Sequence, residues 1–212
     1  MKTDELIAVL SAGTAPVAPG VVRRRLLLAC LIGALAAGVL VFTILHPRDL
    51  AAASQTRAFW MKVGYAAWLG LGGYLLADRA ARPGARLGAA PYVVAAPFAV
   101  IVAMAIYDLA NLPMSAWHDV WMGHSAQLCP IAILIAAVPV FIAVAAVLRR
   151  LAPTRLVFAG AAAGLLAGGI GATVYALWCR EPSAVFVASW YTLGILVCAG
   201  IGALLGPKVL RW

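Results

Sequence analysis

Charge is what this 212-residue chain lacks. Asp, Glu, Lys and Arg make up 11% of it, only seven are acidic, and 65% of the residues are hydrophobic. So little polar surface cannot solvate a globular domain of this length, which excludes a soluble enzyme or a soluble binding module. Compact metal and redox signatures are missing too: no Cys-x-x-Cys and no His-x-x-x-His pair occurs, and the four cysteines are widely spaced. Ionisable groups are scarce inside the apolar stretches, with Lys62, Asp78 and Asp108 all near the ends. Intramembrane charges mark ion or proton paths, so their scarcity argues against transport. Pro97 and Pro139 can kink two stretches, but no pair of broken helices of the transporter kind is evident.

What the chain does have is six long apolar stretches, at residues 26–45, 59–77, 91–109, 129–148, 156–178 and 187–205. Each is close to the roughly 20 residues that carry a helix across a hydrocarbon core about 30 Å thick. Basic residues alternate across them. Lys2, Arg23, Arg24, Arg25, Arg79, Arg82, Arg86, Arg149, Arg150, Arg155, Lys208 and Arg211 fall on one side, and only Arg48, Arg57, Lys62 and Arg180 on the other. Short loops rich in Lys and Arg stay cytoplasmic, so both termini are expected inside. The same sidedness accounts for most of the +9 net charge, and no nucleic-acid partner is needed to explain it. Ala51-Ala52-Ala53-Ser54 faintly resembles a cleavage site, yet the first apolar stretch is too long for a signal peptide and reads as a retained span. The expected fold is all-α: a polytopic bundle of six transmembrane helices, residues 23–212, preceded by a cytoplasmic arm, residues 1–22.

The arm opens with a short amphipathic helix. Thr3 is suited to cap it, Asp4 and Glu5 oppose the helix dipole in the first turn, and Leu6, Ile7 and Leu10 share one face. Gly13, Pro16, Pro19 and Gly20 stop it. A helix this short needs a surface to dock on. Either the bilayer and the bundle's inner face supply it, or a groove on a cytosolic partner does.

Small residues point to close helix packing. Gly160, Gly164 and Gly168 recur every four residues, as do Gly202 and Gly206, a spacing that serves a compact bundle or a homo-oligomer interface equally well. Trp60, Trp117, Trp121, Trp178 and Trp190 fall near the outer boundary as an aromatic belt, with Trp68 deeper as a packing residue.

The outer side gathers the soft ligands. Cys129 opens the fourth stretch and Cys179 closes the fifth; helices joined by a short inner turn around Pro153 bring both to the same side. An oxidising compartment permits a disulfide there, while Cys30 and Cys198 read as packing residues within spans. The outer loop before Cys129 carries Met114, His118, Asp119, Met122 and His124. Thiolate, thioether and imidazole together suit copper or zinc, so a regulatory metal ion bridging Cys129, Cys179 and a loop histidine stands beside the alternative of a simple solvated cap. Arg180 and Glu181 adjoin Cys179 and bear on its thiolate fraction. No resident cofactor is required.

With Thr3-Asp4-Glu5-Leu6-Ile7, Leu10 and Pro16-Val17 at the start, six spans with cytoplasmic ends, and the outer cysteines in Leu128-Cys129-Pro130 and Trp178-Cys179, the whole chain resembles the NrsF-type membrane anti-sigma factors of proteobacteria. The resemblance implies a non-enzymatic inner-membrane protein. Such a protein holds an extracytoplasmic-function sigma factor inactive and releases it under heavy-metal or oxidative stress. It also implies that Cys129 and Cys179 are the paired outer cysteines of the response; nothing in it carries over to His118 or His124. The chain has no zinc-binding cytosolic domain, so sigma binding falls to the arm and the basic inner loops. A quinone-linked membrane thiol oxidoreductase and a small metal or solute permease are the competing classes. The first usually has its cysteines close in sequence; the second needs buried charge.

Overall fold

The structure is a computed structural model and describes residues 3–12, 20–44, 49–82 and 84–211. The described residues form helices and no strand: α1 (Thr3–Ala12), α2 (Val21–Ile44), α3 (Leu50–Ser54), α4 (Arg57–Ala80), α5 (Ala90–Ala110), α6 (Trp117–Met122), α7 (Leu128–Arg150), α8 (Leu156–Ala176) and α9 (Ala184–Val209). Short polar residues start several of them. Asp49 accepts from the amides of Ala51 and Ala52 at 3.0 and 3.1 Å to cap α3, and Ser183 accepts from Phe186 to cap α9, which satisfies amides that have no partner within the helix.

Five helices, α2, α5, α7, α8 and α9, are long and apolar enough to cross a membrane. The expectation of six such helices is met in five. The remaining one, α4, has the 24 residues of α2 but dilutes its apolar character with Lys62, Asp78, four glycines and several aromatics.

α8 is the axis of the bundle. Its neighbours are α9, α4 and α7; α2 packs on α7, and α5 on α4. Glycine makes this possible. Side chains added at Gly160 and Gly164 would run into the backbone of α9 at Gly202 and Cys198, and one at Gly206 into Leu156. On the opposite side Gly169 lies against Gly70, and Gly73 against Leu166. Both glycine repeats therefore serve packing within one chain, which resolves the alternatives the sequence left open for those residues. Cys198 is buried in the same contact, and Cys30 is half-buried on α2.

The outside of the bundle is apolar. Leu27, Leu31, Leu35, Val39 and Phe42 on α2, Ile106 on α5, Ile131, Val138 and Ile142 on α7, and Leu204 on α9 are all exposed. A single chain in water would not leave so much aliphatic surface uncovered, whereas lipid tails cover it without penalty. Trp68 belongs to this outer surface, 47% exposed, and not to the core as its depth in the sequence suggested.

Successive helices run up and down, so the loops sort to two ends. At one end Arg79 and Arg82 share a cleft with Thr154, Arg155 and Phe158, and the Tyr74 hydroxyl faces the Arg23 carbonyl. At the other end lie α6, the start of α7 and the hinge between α8 and α9.

Candidate functional site

Cys129 and Cys179 come together at the second end. Cys129 is completely buried in the first turn of α7, and Cys179 is 4% exposed just beyond α8. The two thiols are within electrostatic range of each other, and no disulfide joins them. Local structure delivers both. The Cys129 amide donates to the Ser125 carbonyl (2.9 Å), extending the start of α7; the Cys179 amide donates to the Tyr175 carbonyl (3.1 Å) as α8 winds out.

Two tyrosines complete the core of the site. Tyr175 and Tyr191 lie with ring centroids 5.9 Å apart, Tyr175 beside Cys129 and Tyr191 beside Cys179. The Tyr191 hydroxyl and the Trp178 indole nitrogen are buried without a hydrogen-bond partner of good geometry. Buried donors of this kind are rare in folded proteins. Tyr191 also ends the π-helical turn Val187–Tyr191 in α9, an irregularity frequent at functional sites.

A charged strap lies beside the thiols. Lys62, 1% exposed one turn into α4, donates from Nζ to the carbonyl oxygens of Cys179 (2.6 Å) and Glu181 (2.8 Å). The Glu181 carboxylate, also buried, accepts from the His124 amide (2.8 Å) and the Ser125 hydroxyl (3.0 Å). Gly123, at φ +51°, lets the chain turn beside that carboxylate, where any side chain would collide with Glu181 and Phe186. Trp190 donates to the Trp121 carbonyl (2.8 Å) and stacks obliquely on Trp121, docking α6 onto α9.

The accessory ligands suggested by the sequence are not gathered here. His118 is exposed, its Nδ1 3.7 Å from an equally exposed Asp119 carboxylate oxygen. Met114 is 80% exposed, and Met122 packs half-buried on the core. His124 shares a shallow cleft with Cys179, Tyr175 and Trp178, but its imidazole points to solvent. Among the described residues no three His, Cys, Asp or Glu side chains converge on one point.

α1 presents Asp4 and Glu5 in its first turn with Leu6 and Ile7 exposed. Leu10 lies in α1, its side chain outside the described residues. Asp78 is buried and bound to Arg82 at 2.9 Å, and Arg79 donates to the Arg86 carbonyl at 2.7 Å, so part of the basic loop is internally tied.

Sequence reasoning missed Lys62, Tyr175, Tyr191 and Ser125. A lone lysine inside the apolar run Trp60-Met61-Lys62-Val63 was the available signal, since an ionisable residue there is a functional candidate by default.

No solved structure matches this fold. The sequence does have relatives. The chain matches the family described as "Negative regulator of sigma F" over residues 10–212. It is 39% identical to a protein of Azospira oryzae named "Probable anti-sigma-F factor NrsF" and 38% identical to one of Caulobacter vibrioides named "Anti-sigma-F factor NrsF". Both alignments cover all of each chain. The chain therefore belongs to the NrsF family, the negative regulators of sigma F.

Proposed function

We propose that this protein is an inner-membrane anti-sigma factor that crosses the bilayer six times with both termini in the cytoplasm. Residues 1–22 and the basic inner loops sequester an extracytoplasmic-function sigma factor, and a change at Cys129 and Cys179 releases it. The observation that carries this reading is the pairing of two thiols fifty residues apart in the sequence, buried together where α7 begins and where the chain leaves α8, the axis of the bundle. An element that touches most of the others is the one through which a local change at one end repacks the whole.

Two chemistries reach such a pair. An oxidant takes two electrons and two protons from the thiols and leaves a disulfide between Cys129 and Cys179. A soft metal ion displaces the two protons and binds both sulfurs. Among the described residues no group of three His, Cys, Asp or Glu gathers here, and a thiol pair suits a sulfur-seeking ion such as Cu(I) better than zinc, which asks for four ligands in a structural site. Either event alters the contact of α7 with α8, and Arg149, Arg150 and Arg155 at the inner ends of these helices move with it. His118, His124, Met114 and Met122 act, if the ion is copper, in its capture from outside and not in the buried site.

The test is purification of the protein from its own host in mild detergent. A sigma factor is expected to co-purify in stoichiometric amount and to dissociate on exposure to copper, cadmium, dichromate or oxidant. The Cys129→Ser, Cys179→Ser double variant should retain sigma under the same exposures. Release from that variant would remove the thiols from the mechanism.

A further inference from the structure

Among the described residues of the outer end Lys62 is the buried cation, and two of its hydrogen-bond partners are main-chain carbonyls. Burying an ammonium is costly unless its donors are satisfied, and the two carbonyls satisfy donors of Lys62. What it holds is the hinge after α8, at the two residues that frame Arg180 and begin with Cys179 itself. It reaches them from α4, more than a hundred positions earlier in the chain. Glu181 then passes the constraint to Ser125 and His124, immediately before α7 and Cys129. One side chain thus ties the Cys179 segment to α4, and through Glu181 to the segment that leads into Cys129.

We propose that Lys62 is the positioning residue of the thiol pair: by anchoring the Cys179 and Glu181 carbonyls to α4 it sets how readily the buried thiols are reached and makes α4 a carrier of their state. α4 lies along α8 through Gly70 and Gly73 and ends in the Asp78–Arg82 pair and the basic loop. Release of the anchor therefore frees a helix whose other end is part of the inner face. The inference rests on the sensor reading above only for its consequence at the sigma factor; the anchoring itself is independent of it.

The experiment uses full-length protein purified in detergent, with Cys30→Ala and Cys198→Ala so that only the paired thiols react. The readout is the rate of alkylation of Cys179 by a charged maleimide, with sigma-dependent transcription from a reporter measured in cells. K62M should accelerate alkylation about tenfold or more, the scale of losing a hydrogen-bonded charged group that holds a segment closed. K62R, which keeps the charge and the donors, should stay within about threefold of the parent. Parent-like alkylation of K62M overturns the proposal, and so does equal acceleration in K62M and K62R, which marks a general loss of packing. Should K62M fail to accumulate, K62Q serves in its place; its shorter neutral amide should still raise the rate about threefold or more, and an unchanged rate overturns the proposal. Faster alkylation with a silent reporter upholds the anchor and counts against the sensor reading.

Discussion

Gly123 shows how much of the outer site rests on single residues. Its φ of +51° and the Glu181 carboxylate where a Cβ would stand leave no room for another residue. Gly123→Ala should cost roughly 1–3 kcal/mol and be seen as a lowered midpoint of thermal unfolding in detergent, monitored by Trp121 and Trp190 fluorescence. An unchanged midpoint would mean that the turn and Glu181 are not mutually fitted. The residue scale is also where the sequence was least readable. Cys129 and Cys179 were legible because each sits at a span end and the two helices form a hairpin. Lys62 was only half-legible: its place in an apolar run marks it as a candidate, but one turn from a helix end it reads as a lysine that snorkels to water, and the two carbonyls it reaches leave no mark in the sequence. Glu181 was noticed only as a neighbour of Cys179. His118 and Met114 were chosen for their chemistry, but soft-ligand chemistry says nothing about direction, and both side chains face solvent.

At the scale of helices, α8 and α9 are held by backbone contact, and neighbouring glycines of α9 give it a sharp test. Gly202 faces Gly160 with no room for a methyl, whereas Gly200 has nothing within 4 Å. Gly202→Ala should destabilise the bundle by about 1–3 kcal/mol through overpacking. Gly200→Ala should be neutral or stabilise the helix by up to about 1 kcal/mol. Resistance to proteolysis in detergent micelles ranks the two, and equal effects would contradict the close contact. The sequence carried the spacing of these glycines without saying whether they meet a neighbouring helix or a second copy, because both need the same small residues. α1 poses the complementary case. Its exposed Leu6 and Ile7 and its acidic first turn are legible as a docking face, but neither says what surface covers it. Deleting residues 1–20 should leave the protein inserted and abolish co-purification of sigma; persistence would shift the binding surface to the inner loops.

For the whole molecule the decisive quantity is the parity of crossings. Five apolar helices alone would leave the termini on opposite sides, and six return them to the same side, so the topology turns on α4. Its hydropathy is weak because Lys62 and Asp78 lie within it, but its contacts run the full length of α8. At one end Lys62 binds the hinge beyond α8; midway Gly70 and Gly73 touch Gly169 and Leu166; at the other end Arg79 shares a cleft with Arg155 before α8 begins. A helix of 24 residues spans about 36 Å, enough for a hydrocarbon core of about 30 Å. A helix that meets both ends of its neighbour is expected to cross whatever that neighbour crosses, so six crossings are the prediction. Both charges are removed from lipid, Lys62 by two carbonyls and Asp78 by Arg82, so the polar residues that lower its hydropathy do not oppose insertion. Fusions of a fluorescent protein that matures only in the cytoplasm should therefore fluoresce at the N-terminus and at the C-terminus alike, while a fusion within residues 112–116 should stay dark. A dark C-terminal fusion beside a bright N-terminal one would give an odd number of crossings and put the basic residues Lys208 and Arg211 outside, against the charge rule that orders the rest of the chain.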